Sequence, residues 1–517
     1  MTLVTSDFLN PMLVRDLRQG LRSSRFTLVF LLLQVCMAFF VTMGLLSGQG
    51  SEVGHMLTRS LMVAFILFYL LGLPMAATFA FWSEFAENRI DLLKLTQLSA
   101  RGLVWGKWIS LFVQGLLVFF SMLPYLILTY FFGDVDLGKE LLGLTVLLAL
   151  CAMLTAAGVV ISCFCSGVFQ VLAILGLLGV TYQAFNTFSL FQENSYAMDR
   201  PNGGAIGPLN FIWQNPGLAG SLFITAGLPA LWLLLEYGAA RLAPISENHD
   251  TPQRLVLLGL IAFSGLTMVM DIAYAGTFMD DFTDLYLRFA SWLGLLVLMF
   301  AAGSEPSPYP GTYRPFVRFG FLGKLVGRTF LYPGWPSATP FVLLVTAFYS
   351  MLATAWYSLR QQPLPDGWLI PFLLLPPAVL FPQLAGWIVF GRSRLSPAGR
   401  YFTIWAISLV LYFACLVLYN ATQRSNGYII AASILPPDAW LLFATNQMSE
   451  DWNSAALLRI VKIIAASVGG LTIAIMCLRS LWHTKKTRQL EKRAADALRQ
   501  RRARPAAPVA PAPPAGI

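Results

Sequence analysis

Phe26-Thr27-Leu28-Val29-Phe30-Leu31-Leu32-Leu33-Gln34-Val35-Cys36-Met37-Ala38-Phe39-Phe40-Val41-Thr42-Met43-Gly44-Leu45-Leu46 carries no charged side chain. Its length is that of one helical bilayer crossing, about 20 residues. In hydrocarbon a backbone finds no water to bind, so such a stretch crosses as a helix, which satisfies its own N–H and C=O groups. The pattern returns along the chain, at 26–46, 61–81, 108–132, 141–163, 168–189, 219–240, 254–275, 285–302, 339–358, 367–391, 401–420 and 456–478. These windows predict an all-α polytopic integral membrane protein with about 12 transmembrane helices. Continuous apolar runs exclude a transmembrane barrel, whose strands alternate.

Composition points the same way. Of 517 residues, 57% are hydrophobic and 12% charged, and the mean hydropathy is +0.67. That is more apolar surface than a soluble core buries. The stretch at 26–46 follows an arginine-bearing leader without a small-residue cleavage site, so a retained anchor is expected rather than a signal peptide.

Orientation follows from charge. With the N-terminus inside, 27 of the 35 Lys and Arg residues fall in inner segments, or 17 without the C-terminal tail, against 8 elsewhere. The positive-inside rule therefore places both termini in the cytoplasm of a cell (inner) membrane. Expected outer loops are acidic, as at Asp134, Asp136 and Glu140 or Asp280, Asp281 and Asp284. A net charge of +10 is explained by basic loops beside an anionic leaflet, so the lipid bilayer is the expected partner and nucleic acid is not.

Four regions result: a cytoplasmic amphipathic elbow at 1–25, six-span halves at 26–245 and 252–480, and a basic, Pro/Ala-rich cytoplasmic tail at 481–517. In each half the longest inner loop lies between the second and third spans, at 82–107 and 303–338, and the longest outer loop between the fifth and sixth. Two six-helix halves of the kind transporters favour is one reading and coincidence the other. The tail begins with a basic helix candidate, Lys485–Arg502, expected to be a solvated segment without a specific partner or to rest on headgroups.

Residues for chemistry are sparse. His55, His249 and His483 lie on separate segments, and the six cysteines read as small hydrophobes, so neither a metal site nor a catalytic set is expected. Cys163-Phe164-Cys165 lacks zinc-ligand spacing. Gly102-Leu103-Val104-Trp105-Gly106-Lys107-Trp108 has one residue too few between its glycines for a phosphate loop and Trp108 where Ser or Thr would hold magnesium. The chain is therefore not expected to be an enzyme or to hydrolyse ATP. Asp271 at the outer end of the seventh span could pair with Arg459 or Lys462 and line a polar pathway, or the three could be structural. Glu236 lies near the inner end of the sixth span. Gln34, Gln114, Gln170, Gln183 and Asn186 read as interhelical hydrogen-bonding groups. Pro371, Pro376, Pro377 and Pro382 predict a kinked or broken tenth span.

Two inner segments stand out. Asn10-Pro11-Met12-Leu13-Val14-Arg15-Asp16-Leu17-Arg18-Gln19-Gly20-Leu21-Arg22 alternates apolar and basic residues at helical spacing, suiting a helix along the inner membrane surface. In the first long loop, Glu84, Glu87, Arg89 and Asp91 precede Leu92-Leu93-Lys94-Leu95-Thr96-Gln97-Leu98-Ser99, and Ser99 can cap the helix that carries Lys107 into the third span.

Together these resemble the permease subunits of type-2 ABC exporters over roughly residues 8–245. Asn10, Pro11, Arg15, Asp16, Leu17 and Arg18 match that family's elbow motif. Glu84, Asp91, Leu92, Leu93, Leu95, Thr96, Leu98, Ser99, Gly106 and Lys107 match its loop motif. Asn88 and Arg89 stand where the family commonly has Gly-Thr, and Gln97 where it has Pro. The resemblance implies that the loop is a coupling helix docking on a separate ABC-type ATPase subunit, the carrier of ATP and magnesium. Leu92, Leu93, Leu95 and Leu98 would bury against it while Glu84, Glu87, Arg89 and Asp91 set register. The chain would then export a substrate by switching between inward- and outward-facing states, as one chain supplying both halves or as a homo- or heterodimer. A non-transporting membrane scaffold or assembly factor with a permease-like half is the alternative. If the halves correspond, Phe316, Phe319, Phe321, Leu322, Leu325 and Val326 among Arg318, Lys324 and Arg328 would form a second docking element.

Overall fold

The computed structural model describes residues 11–46, 51–81, 99–131, 137–163, 220–221, 223–244, 247–274, 277–318, 320–359, 366–391, 397–421 and 465–503, with 174, 436 and 463 as single positions. Among the described residues every regular element is helical. Seven helices among the described residues are long and apolar enough to cross a membrane. The chain divides into two compact units, Met1–Ala243 and Pro244–Ile517.

In the first unit α1 (Pro11–Leu21) is followed by α2 (Ser24–Leu46), α3 (Ser51–Ile66), a π-helical turn at Leu67–Gly72 and α4 (Leu73–Thr78). Then come α5 (Ala100–Phe131), α6 (Leu137–Cys163) and α7 (Leu228–Leu242), which a second π turn at Phe223–Gly227 precedes. Five of the seven membrane-length helices lie here: Phe26–Gly44, Ser60–Thr78, Ala100–Leu128, Glu140–Cys163 and Phe223–Leu242. The segment at 168–189 lies outside the described residues, apart from position 174.

Helix α2 is apolar all round rather than amphipathic, so burial does not select one face. Leu28, Leu31, Leu32, Val35 and Phe39 stay exposed while Met37 is wholly buried, as expected for a helix with lipid on one side and protein on the other. Small residues set the closest helix crossing. A Cβ on Gly158 would lie 2.7 Å from the Pro74 carbonyl oxygen and 2.8 Å from the Ala77 Cβ, so only glycine lets α4 and α6 touch there. Polar groups join helices as expected: Gln34 Nε2 donates to Ser121 Oγ at 2.8 Å, and Trp108 Nε1 donates to the Ala152 carbonyl at 3.1 Å. Gln170, Gln183 and Asn186 lie outside the described residues.

The second unit contains α8 (Asp250–Tyr274), α9 (Thr277–Gly303), a 3-10 turn at Pro310–Tyr313, α10 (Arg314–Arg318) and α11 (Gly320–Val326). A π turn at Gly327–Leu331 leads to α12 (Trp335–Leu359), α13 (Asp366–Phe390), α14 (Pro397–Ala421), a π turn at Ala465–Gly469 and α15 (Gly470–Ala503). Asp250–Met270 and Trp335–Leu359 are of membrane length, and Leu293–Gly303 and Leu374–Phe390 are shorter apolar stretches.

Two expectations change here. Helix α13 runs unbroken through Pro371, Pro376, Pro377 and Pro382. Pro376, Pro377 and Pro382 are buried, and in a packed apolar helix neighbours compensate for the donors that proline lacks. The described part of the tail, 481–503, holds the expected helix, but that helix is packed rather than solvated all round. Helix α15 continues without interruption to Ala503, and Ala494 is fully buried with Tyr313, Phe316 and Tyr332.

Candidate functional site

In the first unit the structure brings the elbow helix to the foot of α5. Pro11 opens α1, where its missing N–H costs nothing, and α1 packs along α5. At Gly20 the Gln114 amide lies close against α1, where a Cβ would have to displace it. Asp16, with a side chain only 5% exposed, pairs with Lys107 Nζ at 3.3 Å and with its neighbour Arg15 at 3.0 Å. Asp16 and Lys107 come from the two separate motifs noted in the sequence. Lys107 Nζ also lies 5.7 Å from the centre of the Phe81 ring, a cation–π distance. Phe81 is the last described residue before the inner loop.

The other root of that loop is equally fixed. Ser99 Oγ accepts the Gly102 N–H at 3.1 Å and so caps α5, as the sequence suggested. One turn on, Arg101 grips Glu236 of α7 in a fork, with Nε at 2.9 and 3.0 Å and Nη2 at 2.6 Å. Glu236 is completely buried, and such bidentate pairs are the strong, directional kind. Its partner is 135 residues away, which sequence reading did not connect. The stretch Gly102–Lys107 is helical, not a loop that could cradle phosphate.

Arg15 and Arg18 lie on the exposed face of α1, where with Val14, Gln19 and Arg22 they line an open pocket of about 470 Å³. Asn10 and residues 82–98 lie outside the described residues, and with them Glu84, Glu87, Arg89, Asp91, Leu92, Leu93, Leu95, Thr96 and Leu98. Arg459 and Lys462 do as well, while Asp271 belongs to α8.

The second unit holds a denser polar assembly that the sequence did not reveal. Arg254 is entirely buried and donates to the carbonyls of Phe330 at 2.8 Å, Tyr332 at 2.9 Å and Gly334 at 3.1 Å, and to Ser337 Oγ at 2.7 Å. Asp250, one turn earlier, accepts from Ser304 Oγ at 2.6 Å and from the Gly334 N–H at 2.9 Å. Thr251 Oγ1 donates to the Leu331 carbonyl at 2.7 Å. The first turn of α8 thus binds both ends of the segment at 304–335. Gly334 sits at φ +103°, and a Cβ there would collide with the Pro306 backbone; this position requires glycine.

Helix α15 closes the assembly. Glu491 receives Arg328 through Nε at 3.1 Å and Nη2 at 2.5 Å, and the Tyr332 hydroxyl at 2.8 Å. Burial, followed by Glu491, pushes the Tyr332 phenol up, and burial likewise raises Tyr313 to about 12, so both stay neutral donors at physiological pH. Tyr313 donates to the Ser307 carbonyl at 2.8 Å. Nearer the apolar part of α15, the Arg479 guanidinium stacks between Trp335 at 4.2 Å and Trp387 at 4.6 Å. Phe316 and Arg328, expected in a second docking element, instead face inward here. Arg328 is held by Glu491 and Phe316 is only 8% exposed.

Among the described residues no group of three or more His, Cys, Asp or Glu side chains could hold a metal ion. His249 pairs with Glu247 at 3.1 Å, and Cys36, Cys151, Cys163 and Cys477 are free thiols. The geometry is that of mechanical braces: ion pairs and carbonyl cages that fix short helices to the ends of long apolar ones. No family model matches the chain, no curated protein matches it in sequence, and no solved structure matches its fold.

Proposed function

We propose that this chain is a polytopic membrane protein of about 12 spans, and more specifically the membrane-spanning permease of an ATP-driven exporter, working with a separate ATPase subunit. The Lys and Arg distribution supports an inner-membrane orientation with both termini cytoplasmic. The observation that carries the exporter reading is the Asp16–Lys107 pair. It fastens the elbow helix to α5 at the root of the loop whose charged-then-apolar sequence resembles a coupling helix. A push on that loop reaches α5 through the Ser99 cap and α7 through Arg101–Glu236, so ATPase motion is delivered to membrane helices through stiff, short links. The chain's own work is conformational, and ATP and magnesium belong to the partner.

Deleting residues 86–99 tests this. Membrane insertion is expected to persist while capture of the co-expressed ATPase and transport are lost. Stimulation of ATP hydrolysis that survives the deletion would defeat the exporter reading and leave a membrane scaffold as the alternative.

A further inference from the structure

Helices α10 and α11 are consecutive, yet they face opposite ways. Gly320, at φ +72°, turns the chain between them in a conformation that few residues other than glycine adopt. Before the turn, Phe316 is buried against Tyr332 at a ring separation of 4.9 Å. After it, Phe321 is 79%, Leu322 71%, Leu325 48% and Val326 44% exposed. Spaced at i, i+1, i+4 and i+5, these four form one apolar stripe.

Arg318, exposed, and Lys324, partly exposed, accompany the stripe. No acidic residue occurs between Glu305 and Asp366. An apolar stripe with basic companions and no acid is complementary to an anionic, amphiphilic surface. The position of α11 fits such a surface. Its C-terminal extension is tied through Phe330 and Leu331 to the first turn of α8, and Trp335 begins α12. Both of these helices include membrane-length apolar stretches. The same region carries Trp335 and Trp387 around Arg479, and Trp482 is 75% exposed, a grouping of aromatic and basic side chains typical of a membrane–water boundary.

We propose that α11 is a membrane-surface anchor, with Phe321, Leu322, Leu325 and Val326 inserted among the headgroups of the anionic cytoplasmic leaflet and Arg318 and Lys324 against its phosphates. The proposal rests on the inner orientation given under the proposed function, but not on the ATPase. Covering the stripe with lipid removes it from water without a protein partner.

The full-length chain, carrying a benzophenone amino acid in place of Leu322, is reconstituted without ATPase into nanodiscs of phosphatidylcholine with phosphatidylglycerol and irradiated. The same probe at Val389, an exposed residue of the apolar helix α13, serves as reference. A phospholipid adduct at 322 comparable in yield to that at 389 is expected. Its yield is expected to fall several-fold in the Arg318→Glu, Lys324→Glu double variant while the yield at 389 does not change. Absence of a lipid adduct at 322 with a normal adduct at 389 overturns the proposal. So does an adduct that forms only with added ATPase and on that protein, which would make α11 a protein-docking face. A lipid adduct at 322 together with loss of ATPase capture on deleting 86–99 supports both readings; a lipid adduct with capture retained leaves the anchor standing alone.

Discussion

The two units brace their inner segments in different ways. In the first, the ion pair Asp16–Lys107 joins the elbow helix to the foot of α5, and a fork joins Arg101 to the buried Glu236. In the second, the segment at 304–335 is threaded over a wholly buried arginine and clasped by Glu491 of the C-terminal helix. The ion pairs of the first arrangement run from side chain to side chain, with Asp16 and Glu236 buried. The second satisfies backbone carbonyls with a buried cation, and Ser337 Oγ donates to two of the same carbonyls.

The largest effect expected from breaking this contrast is at Arg254. Arg254→Ala leaves three carbonyls and Ser337 without their shared donor and should cost about 3–5 kcal/mol, the range for breaking a buried charged pair. Thermal unfolding of the detergent-solubilised protein, with limited proteolysis at 304–335, reads this. A loss no larger than that of Lys107→Ala would erase the distinction between the two units.

A pair of double-mutant cycles sharpens the comparison at an intermediate scale. The Arg328–Glu491 coupling, bidentate and with Glu491 at 6% side-chain exposure, is expected to be about 1.5–3 kcal/mol. Lys107–Asp16 is about as buried, at 15% and 5% side-chain exposure, but is a single contact at 3.3 Å, and should fall lower, at about 0.5–1.5 kcal/mol. Equal coupling energies in the two cycles would show that the second hydrogen bond of the Arg328–Glu491 fork adds nothing.

The smallest effect concerns pH. His483 packs edge-on against Trp335 at 4.9 Å, and burial, then the charges of Arg479 and Lys486, hold its imidazole below the usual value. As pH falls toward and below that usual value the unfolded chain takes up the proton before the folded one, so stability declines on acidification. The thermal midpoint should therefore drift down between pH 7.5 and 5.5, and the drift should flatten in His483→Gln. A slope unchanged by the substitution would assign the drift to other groups.

Much of the architecture was legible in linear order. Hydropathy and length marked out the seven membrane-length helices among the described residues, because a crossing helix satisfies its backbone locally and its signal is contiguous. The Ser99 cap was legible for the same reason, being a contact within one turn. The prolines of α13 allowed a kink or a break, and the helix is continuous through them, because neighbouring helices that pack around such sites compensate for missing donors.

Sequence by itself determined the helical, membrane-suited character of this chain and the position of its charged inner segments. Only the tertiary structure decided which charges meet. Arg101 finds Glu236 across 135 residues, Arg254 reaches Tyr332 across 78, and Arg328 finds Glu491 across 163. Apolar character accumulates over neighbours and leaves a periodic trace, whereas an ion pair is one distance between two side chains, created only when packing brings their helices together.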